Sequence, residues 1–349
     1  MKSLYILFAV LFLIFAISCS DNNTNNPTDS KVNILYIIDS TGHYSQFGLE
    51  AKNGMLLALK NNQNINLITV DAKSDASVAV SEFNKISQNT DIKAVITLAS
   101  WVSNAIAPIA KQKNITHYAI GSAVFDNKAL NNTIRFTADV EYESSFLAEY
   151  LKKYSKIALL YFVNDFGNGW KTRLELTLGN KLSKIVSYSY QNDDFRDELN
   201  SIKAENPEVL LLISTKEAAI IAKQAKASGL NAQLVGVRPT FTDYLKDEPT
   251  AEGLIFSYPE MNLSNSFFAE YLNTYNLKAS AFAAEGYDVI NTFANAINSK
   301  NLTNTQIFEF YKNKQFNGSL GVISFDEYAQ ASYKFGLMII KNKDYEPIK

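Results

Sequence analysis

The chain has 349 residues, of which 47% are hydrophobic, and its formal net charge at pH 7 is −2. This length exceeds what one hydrophobic core usually serves, so the sequence predicts two lobes. A chain with so little net charge lacks the basic footprint of nucleic-acid-binding proteins, so we expect no nucleic-acid partner.

The N-terminus reads as a targeting segment. Lys2 precedes an apolar run over residues 4–17, short for a membrane span, and the only cysteine, Cys19, follows it. Because a small residue before a lone cysteine is typical of bacterial lipoproteins, we expect a signal peptide over residues 1–18 and lipid on Cys19. We expect the polar residues 19–31 to form a flexible tether and the protein to lie on the outer side of a membrane. An ordinary secretory signal peptide is the alternative.

Beyond the tether, buried strands alternate with helices in two arrays. The predicted strands of the first array lie at residues 32–39, 66–72, 94–99 and 115–121, with helices at 47–59, after Asp75 and after Ser100. The second array has predicted strands at residues 156–162, 185–190, 208–214, 233–237 and 253–259, with helices at 142–154, 168–182, 196–205 and 216–228. This order predicts an α/β fold with two doubly wound parallel sheets. Helices at 266–275 and 280–297 and two strands, at 321–326 and 332–341, complete the chain.

Doubly wound sheets bind ligands just beyond the carboxyl ends of their strands. Two lobes whose strand ends face one another enclose a cleft, as in hinged binding proteins.

Ser100 stands where the strand at residues 94–99 passes into a helix. We expect Ser100 to cap that helix, whose free N–H groups and dipole favour an anion such as a carboxylate. A capping role with no ligand is the alternative.

The residues that would carry catalysis are missing from the sequence. His43 and His117 lie far apart without metal-ligand spacing, and no nucleophile elbow or phosphate-binding loop occurs. The adjacent acids Asp193 and Asp194 fit a solvated turn. We therefore predict a protein that is not an enzyme and has no metal and no cofactor.

Eight segments resemble, in order, the type I periplasmic substrate-binding proteins of ABC importers, in the branched-chain amino-acid and amide group. They are STGHYSQFG with KNG, SWVSNAIAPIAK, IRFTADVEYESSFLAEYL, KIALLYFVNDFGNG, DDFRDELNSIKAENPEVLLL, AEGLIF, EGYD and FNGSLGVISFD. The resemblance covers residues 32–345 and implies two lobes joined by a multi-strand hinge. It implies a first lobe of residues 32–136 and 260–316, and a second lobe of residues 137–259 and 317–349.

The resemblance also implies positions that hold a ligand. Ser100 matches the serine that holds the ligand carboxylate, and Ser122 and Val124 match contacts to the ligand's amino group. Phe47, Phe166, Trp101 and Tyr287 match or adjoin wall positions, with packing inside a lobe as the alternative for each.

One position departs from the pattern of the family. Amino-acid binders of this group place an acid in the second lobe, and Arg238 stands at or beside that position. Either Asp39 supplies the negative charge, or the ligand is no ordinary α-amino acid and Arg238 binds a second carboxylate. Arg238 pointing to solvent or pairing with Asp243 is the alternative.

The sequence therefore favours a lipid-anchored, monomeric receptor that closes on a small carboxylate-bearing ligand and delivers it to an ABC permease. A ligand-sensing module acting on a signalling partner, and an envelope lipoprotein that borrowed the fold, are the alternatives.

Overall fold

The computed structural model of the protein describes residues 31–126, 128–189, 192–299 and 302–348. The expected signal peptide, Cys19 and the tether up to residue 30 lie outside the described residues, as does Tyr190 at the end of a predicted strand. Within the described ranges, no helix has the length and the apolar character needed to cross a membrane.

A five-stranded parallel sheet forms the centre of the first lobe. Its strands run in the order β2-β1-β3-β4-β5. They are β1 (Val32–Ile38), β2 (Ile65–Asp71), β3 (Ala94–Leu98), β4 (Thr116–Ile120) and β5 (Thr133–Arg135). The inner strands β3 and β4 are buried along their whole length, as expected for parallel strands covered on both faces. The helices of this lobe are α1 (Ser45–Leu59), α2 (Ala76–Asn89), α3 (Ser100–Gln112), α9 (Ser266–Tyr275), α10 (Ala281–Ser299) and α11 (Asn304–Tyr311).

A seven-stranded sheet forms the centre of the second lobe, in the order β15-β14-β10-β9-β8-β6-β7. Its parallel strands are β6 (Ile157–Phe162), β7 (Leu182–Tyr188), β8 (Val209–Ile213), β9 (Gln233–Gly236) and β10 (Ile255–Pro259). Two antiparallel strands, β14 (Phe335–Lys341) and β15 (Asp344–Pro347), extend it beyond β10. Its helices are α4 (Val140–Leu151), α5 (Asp165–Leu178), α6 (Arg196–Lys203), α7 (Glu217–Ser228) and the short α8 (Asp243–Asp247).

A third, small sheet comes between α11 and β14 in the chain. It consists of the antiparallel strands β11 (Gln315–Gly318), β12 (Gly321–Phe325) and β13 (Ala331–Ser332). A bridge joins Gln330 to Arg135 at the end of β5. The α/β class, the parallel sheets and the two lobes are therefore confirmed.

Helix ends follow from local chemistry. The Asp75 carboxylate accepts the N–H groups of Ser77 and Val78, and confirms the predicted cap of α2. Gly229 ends α7 in the left-handed conformation, as predicted. Helix α5, expected at 168–182, begins three residues earlier, because the Asn164 side chain accepts the N–H of Gly167 and caps it.

Helices α1 and α10 cross with their backbones almost in contact. A Cβ added at Gly54 would lie 1.9 Å from the carbonyl oxygen of Ala283, and one at Gly286 would lie 2.2 Å from that of Ala51. Two glycines therefore allow a separation that no other residue permits. The same crossing brings Phe47 of α1 against Phe282 of α10, with ring centroids 4.5 Å apart.

Candidate functional site

The chain makes a strained turn between β3 and α3. Ala99 has φ 78° and ψ 146°, a combination that costs a non-glycine residue about 1–3 kcal/mol. Ala99, and not Ser100, occupies the N-cap position, so the prediction that Ser100 caps the helix is wrong. Ser100 is instead the first helical residue, and its Oγ accepts the backbone N–H of Val124 at 3.2 Å.

A pocket lies between the two lobes at the N-terminus of α3. Its unfilled space is about 490 Å³, counting the part open to solvent. Ser100, Gly121, Thr215 and Arg238 follow the carboxyl ends of β3, β4, β8 and β9, where a doubly wound fold is expected to bind ligands. The residues that line the pocket are Tyr44, Phe47, Leu98, Ala99, Ser100, Trp101, Gly121, Ala123, Thr137, Glu143, Phe162, Phe166, Thr215, Arg238, Pro239 and Phe282.

Aromatic rings from both lobes line the pocket. In addition to the Phe47–Phe282 stack, the ring of Trp101 lies 4.6 Å from that of Tyr44. Phe166 and Phe162 of the second lobe lie nearly parallel at 6.0 Å. The structure thus places three of the four predicted aromatic residues at the pocket. An apolar group of a ligand would be covered on both sides.

Arg238 lies at the pocket, and only 4% of its side chain is exposed. Its guanidinium is bound in two places by Glu285, with Nη1–Oε1 at 2.8 Å and Nη2–Oε2 at 3.3 Å, and Nη1 also donates to Tyr333 at 3.0 Å. Burial alone would lower the pKa of Arg238, but the charge of Glu285 outweighs it and the pKa is raised. Asp243 pairs with Lys246 instead, so Arg238 is neither free in solvent nor paired at the rim.

Glu285 is therefore the partner of Arg238 across the lobes. Its carboxylate also accepts from the hydroxyl of Thr137 at 3.0 Å, from that of Tyr333 at 3.0 Å and from the N–H of Gly121 at 3.1 Å. These bonds leave Arg238 with its charge already compensated. Binding of a second ligand carboxylate by Arg238 would have to compete with Glu285.

Four predicted residues, Asp39, Ser122, Tyr287 and Val124, lie outside the pocket lining. Asp39 is buried, and its Oδ2 accepts from the Tyr44 N–H at 2.9 Å and from Ser74. Ser122 is buried in a chain of hydroxyl groups and donates to the carbonyl of Ile120. Tyr287 packs on Phe267 inside the first lobe. Val124 is half-buried and is tied to Ser100 through its backbone N–H.

The two lobes touch through polar contacts beside the pocket. Nε2 of His43, in the loop before α1, lies 2.8 Å from Oε1 of Glu217 and 2.9 Å from Oγ1 of Thr215. The side chains of His43 and Glu217 are 1% and 3% exposed. Burial alone would raise the pKa of Glu217, but the hydrogen bond and charge of His43 help to lower it. Because this buried contact joins the two lobes, the structure shows the lobes in a closed arrangement.

Two further contacts join helix α5 to the first lobe. The Asn104 side chain donates to Asp165 at 2.9 Å. A Cβ added at Gly169 would lie 2.5 Å from the side chain of Val124. The lobes therefore meet here with no room for a larger side chain.

Sequence reasoning missed several of these residues. Phe282 and Thr215 carry no motif signal. His43, Glu143 and Glu285 stand in the segments STGHYSQFG, IRFTADVEYESSFLAEYL and EGYD without an assigned role. Their partners lie far away in the chain, 47 positions for Glu285 with Arg238, 174 for His43 with Glu217 and 235 for Phe282 with Phe47, and local patterns do not report such separations. Within the described residues, no cluster of three or more His, Cys, Asp or Glu side chains could hold a metal ion.

Comparison with known proteins assigns the fold to a family. The family model described as "Periplasmic binding protein" matches residues 31–344. Comparison with curated proteins gives no significant match.

Solved structures agree with that assignment. An extracellular ligand binding receptor from Desulfohalobium retbaense is 31% identical with a TM-score of 0.87, over 91% of this chain and 60% of that one. This chain thus spans about 60% of the length of that relative. The leucine binding protein LivK from Thermotoga maritima is 21% identical with a TM-score of 0.85, over 91% and 98% of the two chains. A solute binding protein of an ABC transporter from R. palustris, solved with benzoate, is 15% identical with a TM-score of 0.83, over 91% and 95%.

These relatives are binding proteins, in agreement with the prediction that the chain is not an enzyme. One family assignment follows from the match over residues 31–344, the two parallel sheets and the pocket between closed lobes. This chain belongs to the periplasmic binding protein family, in its type I, leucine-binding-protein-like group.

Proposed function

We propose that the protein is an extracytoplasmic solute receptor that closes its lobes on a small carboxylate-bearing ligand and delivers it to an ABC permease. The observation that carries the proposal is the position of Ser100. It is the first residue of a 13-residue helix and lines an aromatic pocket between the lobes. The free N–H groups of such a helix end favour an anion, and the Ser100 hydroxyl adds a donor.

Closure is the mechanism by which this site would select its ligand. The ligand gains contacts to both lobes only when the lobes are closed, so its binding energy shifts the population towards the closed form. The contacts of His43 with Glu217 and of Asn104 with Asp165 then add to the stability of that form. A permease could recognise the closed arrangement of the two lobes.

A ligand screen tests the proposal. The mature protein is mixed with amino acids, organic acids and amides, and the melting temperature is measured for each. We expect carboxylates to raise the melting temperature and the corresponding neutral alcohols to leave it unchanged. X-ray scattering should show a smaller radius of gyration with the ligand. A screen in which no carboxylate acts, or in which the lobes stay unchanged, would overturn the proposal.

The membrane anchor is part of the proposal and rests on the segment that ends in Cys19. A lipid on this thiol would keep the receptor near its permease. Cells grown with a labelled fatty acid should incorporate label into the wild-type protein and not into Cys19→Ser. Light scattering of the mature protein should give the mass of one chain.

A sensing function is the second candidate. The observation in its favour is that the Desulfohalobium relative, named a receptor, extends beyond the part this chain matches. Transport predicts that the loaded protein stimulates ATP hydrolysis by its permease in lipid vesicles. Stimulation of a signalling partner without any such ATP hydrolysis would favour sensing.

A further inference from the structure

A second cavity lies between the two lobes, beyond the stacked rings of Phe47 and Phe282. These two rings line both this cavity and the pocket at Ser100. The cavity has a volume of about 320 Å³, which is within the range of small-molecule sites. Helices α1, α9 and α10 of the first lobe form one side of it, and α8, β10 and the β14–β15 hairpin of the second lobe form the other. A solute in this cavity would therefore contact both lobes.

Glu50 of α1 lines this second cavity without a cationic partner. Its side chain is half-buried, so a solute in the cavity can reach the carboxylate. Oε1 accepts from Gln46 Nε2 at 2.9 Å and Oε2 accepts from Ser280 Oγ at 2.5 Å, and both donors are neutral. In the part of the chain that the structure describes, no lysine, arginine or histidine forms an ion pair with Glu50, and burial raises its pKa to about 7. The charge of this carboxylate is therefore uncompensated.

The other acids of the cavity wall are already paired with lysines. The pairs are Asp243 with Lys246 at 3.1 Å and Asp344 with Lys278. Lys343 also lines the cavity, but it is exposed at the turn between β14 and β15, where solvent and salt screen its charge. Asp243 raises the pKa of Glu50 and Lys246 lowers it, so the nearest ion pair has opposing effects on Glu50. A cation that enters the cavity would thus find its counter-charge at Glu50.

Aromatic rings of the second lobe line the same cavity. The ring of Tyr345 lies 4.5 Å from that of Phe241 and 5.8 Å from that of Tyr258. Oη of Tyr258 accepts the backbone N–H of Ala281 at 2.8 Å, which fixes this ring relative to the first lobe. The faces of aromatic rings attract organic cations, and clusters of such rings bind quaternary ammonium groups. The cavity thus brings an uncompensated carboxylate and a group of aromatic rings together.

We infer that this cavity is a second ligand site and that it binds a small organic cation, such as a quaternary ammonium compound. Glu50 supplies the opposite charge, and the rings of the second lobe contact the methyl groups of the cation. A quaternary ammonium donates no hydrogen bond, so the two hydrogen bonds that Glu50 already accepts can remain. The site is separate from the pocket at Ser100 and does not depend on the proposed function.

A matched pair of probes tests the inference on the unaltered protein. Choline and 3,3-dimethyl-1-butanol have nearly the same shape, but the charged nitrogen of choline is a neutral carbon in the alcohol. Calorimetry of the mature protein should show that choline binds about tenfold or more tightly than the alcohol. Wild-type protein that binds neither probe, or binds both equally, overturns the inference.

The pH dependence of choline binding tests the role of Glu50. A proton and a cation compete for this carboxylate, whereas the charge of choline does not change with pH. Because the pKa of Glu50 is about 7, the affinity for choline should rise about tenfold between about pH 6 and pH 8. An affinity that stays constant over this range contradicts the inference.

Variants locate the site. Glu50→Gln should weaken choline binding by about tenfold or more and remove its pH dependence, because the amide carries no charge. Glu309→Gln is the matched control, since this exposed acid pairs with Lys312, and it should change neither property. Folded Glu50→Gln that binds choline like the wild type overturns the inference. If Glu50→Gln does not fold, the probe pair and the pH series on the wild-type protein decide.

Competition separates the two sites. A carboxylate that binds at Ser100 should leave choline bound, and Ser100→Ala should weaken the carboxylate without weakening choline. Displacement of choline by that carboxylate would place choline in the pocket at Ser100 and overturn the inference. If no carboxylate of the wider screen binds while choline does, the proposed function fails and the second site stands.

Discussion

Nε2 of His43 lies 2.8 Å from Oε1 of Glu217, and the two residues belong to different lobes. Since both side chains are almost fully buried, opening the cleft must separate them and return both to water. The pair thus exists only in the closed form. It adds to closure independently of any ligand.

Replacing either partner should favour the open form. His43→Ala removes a hydrogen bond to the Glu217 carboxylate, which keeps its bond from Thr215, and this costs the closed state about 1.5–3 kcal/mol. We expect a larger radius of gyration by X-ray scattering and weaker ligand binding. Lys85→Ala, which breaks an exposed pair within helix α2, is the control and should change neither. Unchanged scattering in His43→Ala would show that the pair does not hold the lobes.

The contact between His43 and Glu217 should also make the closure of the lobes depend on pH. The pKa of Glu217 is lowered in the closed form, so its contribution is complete above the ordinary pKa and is lost as the pH falls through the lowered value. Scattering of the wild-type protein should therefore show opening towards acid pH, and Glu217→Gln should show less of this change. A closed form that persists unchanged in acid would contradict the assignment.

Mutation should distinguish the roles of Ser100 and Ser122, the first in ligand binding and the second in stability. Ser100→Ala removes a donor at the pocket and should weaken carboxylate binding by about 10- to 100-fold. Ser122→Ala removes a hydroxyl that bonds to the Ile120 carbonyl outside the pocket lining, so it should lower the melting temperature and leave affinity unchanged. Calorimetry and thermal unfolding of both variants check this. Equal affinity in Ser100→Ala and wild type would remove Ser100 from the site.

Gly169 should limit how far the lobes close. A Cβ there meets the side chain of Val124 at 2.5 Å, so Gly169→Ala should hold the lobes apart and weaken binding. Val124→Ala removes the two nearest atoms, Cγ1 and Cγ2, so the double variant Gly169→Ala with Val124→Ala should recover affinity. Asn168→Ala, at the exposed neighbouring position, serves as the control. Failure of the double variant to recover would place the defect elsewhere.

Glu50 should make the folded protein more stable in mild acid. Burial raises its pKa to about 7, although Ser280 and Gln46 donate to it. A folded-state pKa above the unfolded value means that the native state binds the proton more tightly, so stability rises as the pH falls from about 8 towards 5. The melting temperature should follow. Asp288, with a pKa of about 6, acts in the same direction.

Glu50→Gln should reduce that slope and leave the part due to Asp288. Glu309→Gln, an exposed acid paired with Lys312, should retain the full slope. Melting curves between pH 5 and 8 provide the measurement. A wild-type melting temperature that falls on acidification would contradict the prediction.

The sequence was sufficient for the alternation of strands and helices, because buried strands are apolar runs and helix ends carry their own signals. Asp75 and Gly229 were correct for that reason. It failed at Ser100, where a serine after a strand looks like a cap. The structure instead places the strained Ala99 in that position, and nothing in an alanine indicates a positive φ.

The pocket was less predictable than the fold. Phe47, Phe166 and Trp101 line the pocket. The family resemblance pointed to Phe47 and Phe166, and Trp101 adjoins Ser100 in the sequence. Arg238 was found, but its partner Glu285 lies 47 residues away, on a helix of the other lobe. An ion pair between lobes depends on how the surfaces of the two lobes pack against each other. No local pattern in a single sequence indicates which residues will meet there.

The crossing of α1 and α10 limits how this pocket can change. At Gly54 and Gly286 the backbones of α1 and α10 are already in contact. The two helices therefore cannot shift relative to each other to fit a differently shaped ligand. The backbones of α1 and α10 thus form a rigid part of the pocket wall. The side chains of Phe47 and Phe282 can be replaced without moving those backbones. New ligand preferences in such a receptor should therefore arise through substitutions at those two side chains, while the glycines beneath them stay unchanged.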